Sequence, residues 1–291
     1  MVTVRVPATT ANMGPGFDTF GCALALYNTV SFEEIPSGLV FSGCDKAYQN
    51  DENLAVIAYR KVMEALHLPM PGLKIDIQAD IPVCRGLGSS AAMIASGAAA
   101  ANAMHGSPYT PLELLGICND IEGHPDNLAP ALLGGLVASY VDEGVPVAAR
   151  YDLHPDLRFT ALIPDFQLST HLARGALPKE VPFADAVFNI SRAAVLLKAL
   201  ETGNQAMIKR SLQDRLHQPF RGELIAGYEE VRTMALACGC TAFCISGAGP
   251  TLLALSFGED FDREMAKHMD ELPGNWRMLP MAVERAGVQV L

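Results

Sequence analysis

The stretch Pro82-Val-Cys-Arg-Gly-Leu-Gly-Ser-Ser-Ala-Ala92 constrains the fold most, because it runs a glycine- and serine-rich loop into a long helix of small residues. Gly86 and Gly88 let backbone approach a ligand closely, and the serines offer hydroxyls and an expected helix N-cap. The helix that follows turns its free N–H groups and the positive end of its dipole toward that loop. A phosphate fits such a place. No Asp, Glu, Lys or Arg occurs from Gly86 to Leu112, so the helix is expected to be buried. Taken alone, the same residues also describe an Ala-rich core helix with a capped start.

At 291 residues the chain can bury a large core, and two lobes are expected rather than one. Half of it is hydrophobic and 18% is charged, as in a compact folded protein. The net charge of −11 disfavours nonspecific nucleic-acid or anionic-membrane partners. It leaves ATP open, since local N–H groups and a metal ion bind phosphate inside an acidic protein. The run Ala91–Met104 is too short to span a membrane and is broken by Ser96, Gly97 and Asn102. The opening Met-Val-Thr-Val-Arg-Val reads as a strand and not a signal peptide, so a cytoplasmic location is expected. Seven scattered cysteines read as reduced thiols, and Cys238, Cys240 and Cys244 lack a nearby His to complete a metal site.

Alternation over Val2, Val4 and Val6 predicts a first strand, followed by a turn-rich loop from Ala8 to Asp18. Strands are expected over Gly21–Tyr27, Val30–Glu34 and Leu73–Ala79, and helices over Asn53–Leu66 and Pro111–Glu122. A Gly134-Gly135 break precedes a strand that ends near Val141. The Pro-, Gly- and charge-rich segment Asp142–Pro155 marks the lobe boundary, dividing the chain into 1–150 and 151–291. Beyond it the pattern predicts a strand over Arg158–Pro164 and helices over Phe183–Leu200, Asn204–Arg210 and Leu224–Cys238. Strands over Thr241–Ser246 and Thr251–Ser256 flank Gly247-Ala-Gly-Pro250, and a last strand is expected over Val283–Val290. This irregular order points to α+β rather than a regularly wound α/β sheet.

Several phosphate loops are excluded by their own requirements. Gly86-Leu-Gly-Ser-Ser-Ala91 fits G-x-G-x-x-[GA], but seven residues separate it from the strand ending near Gln78, and the first acid beyond it is Glu113, inside a helix. No G-x-x-x-x-G-K-[ST] and no G-x-S-x-G occurs. What remains, P-x-x-x-G-L-G-S-S-A-A, closely resembles the ATP loop of the GHMP small-molecule kinases. Pro7-Ala-Thr-Thr-Ala-Asn-Met-Gly-Pro-Gly-Phe-Asp18, running on to Leu24, looks like the N-terminal signature of their homoserine kinase branch. Glu122-Gly-His-Pro-Asp-Asn127, running on to Gly135, Asp214-Arg-Leu-His-Gln-Pro-Phe-Arg221 and Ser246-Gly-Ala-Gly-Pro-Thr251 agree with that branch, in order along nearly the whole chain.

The resemblance implies an N-terminal ribosomal-protein-S5-like lobe with a left-handed crossover, a C-terminal ferredoxin-like lobe and a site between them. It implies a homodimeric kinase that transfers phosphate from ATP to the hydroxyl of L-homoserine, with Mg²⁺, for threonine biosynthesis. ATP is expected along Pro82, Val83, Cys84, Arg85, Gly86 and Leu87 and on through Gly88, Ser89, Ser90, Ala91 and Ala92, with Asn53 near adenine. Glu122 is the expected metal ligand, with Ser89 or Ser90 beside it. Arg174 and Arg221 suit a carboxylate because the guanidinium fork matches its geometry. Asn12 and Asp18 match residues that hold the amino and hydroxyl ends, and His124 and Asn127 match further substrate contacts. Asn127 stands where mevalonate kinase-like relatives carry an Asp base, and an amide is no base at neutral pH, so alignment and charge neutralisation are expected to dominate. Thr170 matches a position near the transferred phosphoryl group and could relay the proton. Another small-alcohol kinase of the family, or a silent metabolite-binding member, is the alternative.

Overall fold

The computed structural model describes all 291 residues. The chain forms β1 (Val2–Ala11), β2 (Phe20–Ile35), β3 (Leu39–Ser42), α1 (Leu54–Ala65), β4 (Gly72–Ala79), α2 (Ser89–Met104), α3 (Pro111–Cys118), α4 (Leu128–Leu133), β5 (Leu136–Asp142) and β6 (Val145–Tyr151). The second part runs through β7 (Leu157–Pro164), α5 (Thr170–Gly175), α6 (Phe183–Thr202), α7 (Gln205–Ser211), α8 (Gln218–Gly222) and α9 (Tyr228–Ala237). It closes with β8 (Ala242–Ile245), β9 (Leu252–Phe257), α10 (Asp260–Ala266), β10 (Trp276–Met281) and the short β11 (Gln289–Val290). No helix is long and apolar enough to cross a membrane.

Two sheets organise these elements, as the α+β reading expects. The first is seven-stranded, in the order β11-β1-β2-β4-β3, with β5 on the far end of β2 and β6 beside β5. Its only parallel pair, β3 with β4, is joined through α1; every other pair is antiparallel. The second is four-stranded and antiparallel, in the order β10-β7-β9-β8. The division at 150/151 falls at the end of β6, but the chain's last residues leave the second sheet and return to β1.

The uncharged helix α2 is buried because it packs against both β1 and α1. Its run of alanines admits that closeness, and at Gly97 an added Cβ would lie 2.0 Å from the carbonyl oxygen of Ala55 in α1. Alternation along β9 serves two cores: Leu253 and Leu255 join the large core shared by both sheets, while Leu252 and Ala254 join a smaller one. The cysteines divide likewise, Cys238 and Cys240 in the small core and Cys244 in the large.

Several elements differ from expectation: β1 runs on through Ala11, into the segment expected as a loop from Ala8, and β3, α5, α8, α10 and β10 lie outside every expected element. The two strands expected over Gly21–Tyr27 and Val30–Glu34 are one strand, β2, irregular where its pairing shifts between Pro7 and Ala8 of β1. Pro7 has no N–H to give the ladder, and β2 slips register there. The expected boundary segment contains β6, an edge strand that tolerates Pro146. The strand expected over Val283–Val290 is only β11, and the preceding β10 carries the pairing to β7.

Candidate active site

A cavity of about 700 Å³ lies where the end of β1, the start of α2, α5 and the loop after β8 meet. At the glycine-loop end, the N-cap of α2 is Gly88, not a serine, and Gly88 holds the left-handed conformation at φ 69°. That turn puts Ser89 and Ser90 in the first helical turn, where their hydroxyls border the cavity instead of capping. Gly86, also left-handed at φ 73°, presses against the second lobe, and a Cβ there would sit 2.3 Å from the carbonyl oxygen of Ser246. The Thr10 hydroxyl donates to Ser246 Oγ at 2.9 Å, and Ser246 donates onward to the Gly86 carbonyl at 2.7 Å. Val83 and Cys84 line the cavity; Pro82, Arg85, Leu87, Ala91 and Ala92 do not. Arg85 instead clasps the second lobe, donating to the carbonyls of Pro164 (3.1 Å) and Asp165 (2.7 Å). Leu87, Ala91 and Ala92 are core residues.

The far end is bounded by Tyr48, Glu52 and Asn53. Asn53 caps α1, its Oδ1 accepting from the Ala55 N–H at 3.0 Å, and its Nδ2 donates to the Tyr48 carbonyl at 2.8 Å. Through these two bonds Asn53 fastens the loop that shapes this end.

Glu122 follows a short 3-10 turn (Asn119–Ile121) beyond α3 and faces the cavity. Its Oε2 is buried with no hydrogen-bond partner. Burial pushes its carboxyl above the usual range, against an opposing hydrogen bond from Ser90. An unpaired buried carboxylate oxygen beside a serine hydroxyl fits a hard divalent cation that takes its remaining ligands from phosphate and water.

His124 Nδ1–H donates to Asp126 Oδ1 at 2.9 Å, and this hydrogen bond raises the imidazole pKa. Asp126, adjacent to Asn127, is buried and lines the cavity. Asn127 faces the same space, its Oδ1 accepting from the Thr9 hydroxyl at 2.8 Å. Thr170, the first residue of α5, stands at the exposed rim.

The remaining wall is cationic. Arg221 is only 1% exposed, donates to the Gly247 carbonyl at 3.1 Å and to that of Ala173 at 3.4 Å, and forms no ion pair. Arg174 is paired: its two terminal nitrogens meet the two carboxylate oxygens of Asp18 at 3.0 and 2.8 Å. The Asp18 N–H donates to Asn12 Oδ1 at 2.8 Å, fixing the turn in which Asn12 (φ 56°) and Asp18 (φ 50°) are both left-handed. Two supports lie outside the expected site residues. Phe17 lies beneath both guanidiniums, 5.0 Å from Arg221 and 5.7 Å from Arg174, and stacks on buried His217. Asp214 accepts from the N–H groups of Leu216, His217 and Gln218, shaping the turn that presents Arg221. Both residues stand inside signatures that carry the resemblance, which is the signal that would have found them.

Fold and site together define a GHMP-type kinase. The model of the GHMP kinases N terminal domain matches residues 53–135, and that of the GHMP kinases C terminal region matches 196–270. The homoserine kinase of Clostridium beijerinckii is 40% identical over 294 residues, covering 100% of this chain and 99% of that protein. That of Clostridium botulinum (Type A) is 39% identical over 292 residues, covering 100% and 98%. A crystal structure of homoserine kinase from Cytophaga hutchinsonii superposes with a TM-score of 0.90 at 28% identity, covering 100% of this chain and 97% of that one. A putative homoserine kinase from Listeria monocytogenes gives 0.83 at 30%, covering 100% and 99%. The chain belongs to the homoserine kinase family.

Proposed function

We propose that the protein transfers the terminal phosphoryl group of ATP to the side-chain hydroxyl of L-homoserine, forming O-phospho-L-homoserine for threonine biosynthesis. One observation carries the reading: Arg221, a buried cation without an ion pair, opens on the same cavity as the glycine loop of α2. A buried guanidinium calls for an anion, and an amino-acid carboxylate matches its fork. Arg174 closes on the same carboxylate once a zwitterion enters, and Asp18, released from Arg174, takes the ammonium with Asn12. The hydroxyl then lies toward His124, Asp126 and Asn127, near the backbone N–H groups of Gly88, Ser89 and Ser90 that receive the phosphates. Glu122 with Ser89 or Ser90 would hold Mg²⁺, which supplies charge neutralisation when bound. Asn127 donates a hydrogen bond and takes no proton, so alignment carries the transfer and Thr170 relays the proton outward. The same reading includes a cytoplasmic homodimer, for which the exposed side chains of Phe183, Val187 and Ile190 along one face of α6 offer a surface.

The test is ADP release with ATP and Mg²⁺, offering L-homoserine, L-serine, L-threonine, mevalonate and galactose separately. Strong turnover with homoserine alone is expected. Turnover with another alcohol would keep the phosphate loop and discard the clamp, and ATP binding without any turnover would point to a silent metabolite-binding protein.

A further inference from the structure

Asn127 occupies the N-cap position of α4, where an asparagine side chain ordinarily bonds the helix's free N–H groups, yet it makes no such bond. Its carboxamide is turned instead to Thr9, whose hydroxyl donates to Oδ1 at 2.8 Å. Thr9 is fully buried and does not line the cavity; Asn127 does. The backbone of Thr9 is fixed as well, since its N–H donates to the Leu87 carbonyl of the phosphate loop at 3.1 Å. Its hydroxyl fills the space beside Gly88, where an added Cβ would come within 1.9 Å of Oγ1.

We propose that Thr9 is a positioning residue for phosphoryl transfer and acts through Asn127, an inference that rests on the kinase reading above. A carboxamide can present either end to a ligand. With Oδ1 held by the Thr9 hydroxyl, the end left for the cavity is Nδ2, a donor. A donor suits the substrate alcohol oxygen and the oxygens of the transferred group; the reversed amide would set its carbonyl against them. Thr9 thereby links the phosphate loop and the alcohol end through one buried side chain, without touching either ligand.

The experiment compares Thr9→Val, Thr9→Ser, Asn127→Ala and the Thr9→Val/Asn127→Ala double variant. Its readouts are kcat, KM, ADP affinity and the Asn127 side-chain amide signal in ¹H–¹⁵N spectra. Loss of one positioned hydrogen bond is expected to lower kcat about tenfold or more in Thr9→Val, with ADP affinity within about twofold of the parent. Thr9→Ser, which keeps the hydroxyl, is expected to restore both kcat and the parental amide signal. Thr9→Val is expected to add nothing in the Asn127→Ala background. An equal loss of kcat in that background would overturn the proposal, because Thr9 would then act through the phosphate loop. So would an Asn127 signal that Thr9→Val leaves unmoved. Absence of homoserine turnover in the parent protein would sink the substrate reading instead, and the amide signal would still decide the role of Thr9.

Discussion

Glu122 carries a buried carboxylate oxygen and His217 a buried ring nitrogen that find no partner, and each makes its own forecast. A glutamine at 122 keeps the shape and removes the desolvated charge that raises the carboxyl pKa. Glu122→Gln should therefore melt no lower than the parent in the absence of metal, while Mg²⁺-dependent turnover falls by about 100-fold or more. Calorimetry without metal and a Mg²⁺ titration of activity read the two halves. A lower melting temperature with activity retained would make Glu122 structural. His217 donates from Nε2 to the Gly14 carbonyl at 2.9 Å and leaves Nδ1 unpartnered, and burial lowers its pKa. The unfolded imidazole takes its proton near pH 6.5 and the folded one only below that, so the unfolded state binds more protons in between. Stability should fall as pH drops through about 6.5 toward the lower folded value. His124, whose pKa is raised by Asp126, acts with the opposite sign. Comparing urea unfolding of the parent and His217→Gln at two pH values isolates the His217 contribution. Equal slopes in the two proteins would refute it.

Among elements, α2 was the most legible in the sequence, since an uncharged run of small residues has few places to go but between other elements. The closeness of its approach to α1 was not, because Gly97 reads as a helix weakener until Ala55 is seen behind it. Alanine favours helix over glycine by about 1 kcal/mol, but overpacking against a rigid carbonyl costs about 1–3 kcal/mol. Gly97→Ala should thus destabilise, whereas Gly116→Ala in α3, with nothing near the added Cβ, should stabilise. Denaturant midpoints of the two variants, moving in opposite directions, would check this; a gain at Gly97 would mean that α1 yields. β6 hid behind Pro146 and the charges of an edge, where half the strand's groups face water. The merging of two expected strands into β2 depended on register with β1, which local periodicity does not encode. Site residues in signatures were legible as a set, but Phe17 and Thr9 support them through contacts across 204 and 118 positions of chain, to Arg221 and Asn127.

At the level of the whole molecule, both lobes build the glycine-loop end of the cavity. The relay from Thr10 through Ser246 to the Gly86 carbonyl crosses between the two sheets' domains, and Arg85 makes a second crossing to Pro164 and Asp165. Ser246→Ala removes the relay and leaves the Gly86 carbonyl without its donor. ATP should bind more weakly, by about three- to tenfold, with a smaller change for the amino-acid substrate. Separate KM values for the two substrates test this, and an effect confined to the amino acid would place the relay in the wrong job. The amino-terminal sheet, meanwhile, is not made by the amino-terminal sequence alone. Val290 pairs with Val4 and Gln289 with Arg5, while Glu284 reaches Tyr27 at 2.6 Å. A nascent chain on the ribosome therefore carries an unsealed β1 edge until Gln289 and Val290 emerge, and premature termination before them would release a protein with that edge bare to other strands. The Leu291 N–H donates to the Thr3 carbonyl at 2.9 Å, so a permuted chain with these two segments linked and the β5–β6 turn opened would make β11 before β1 and cover that edge as soon as it forms.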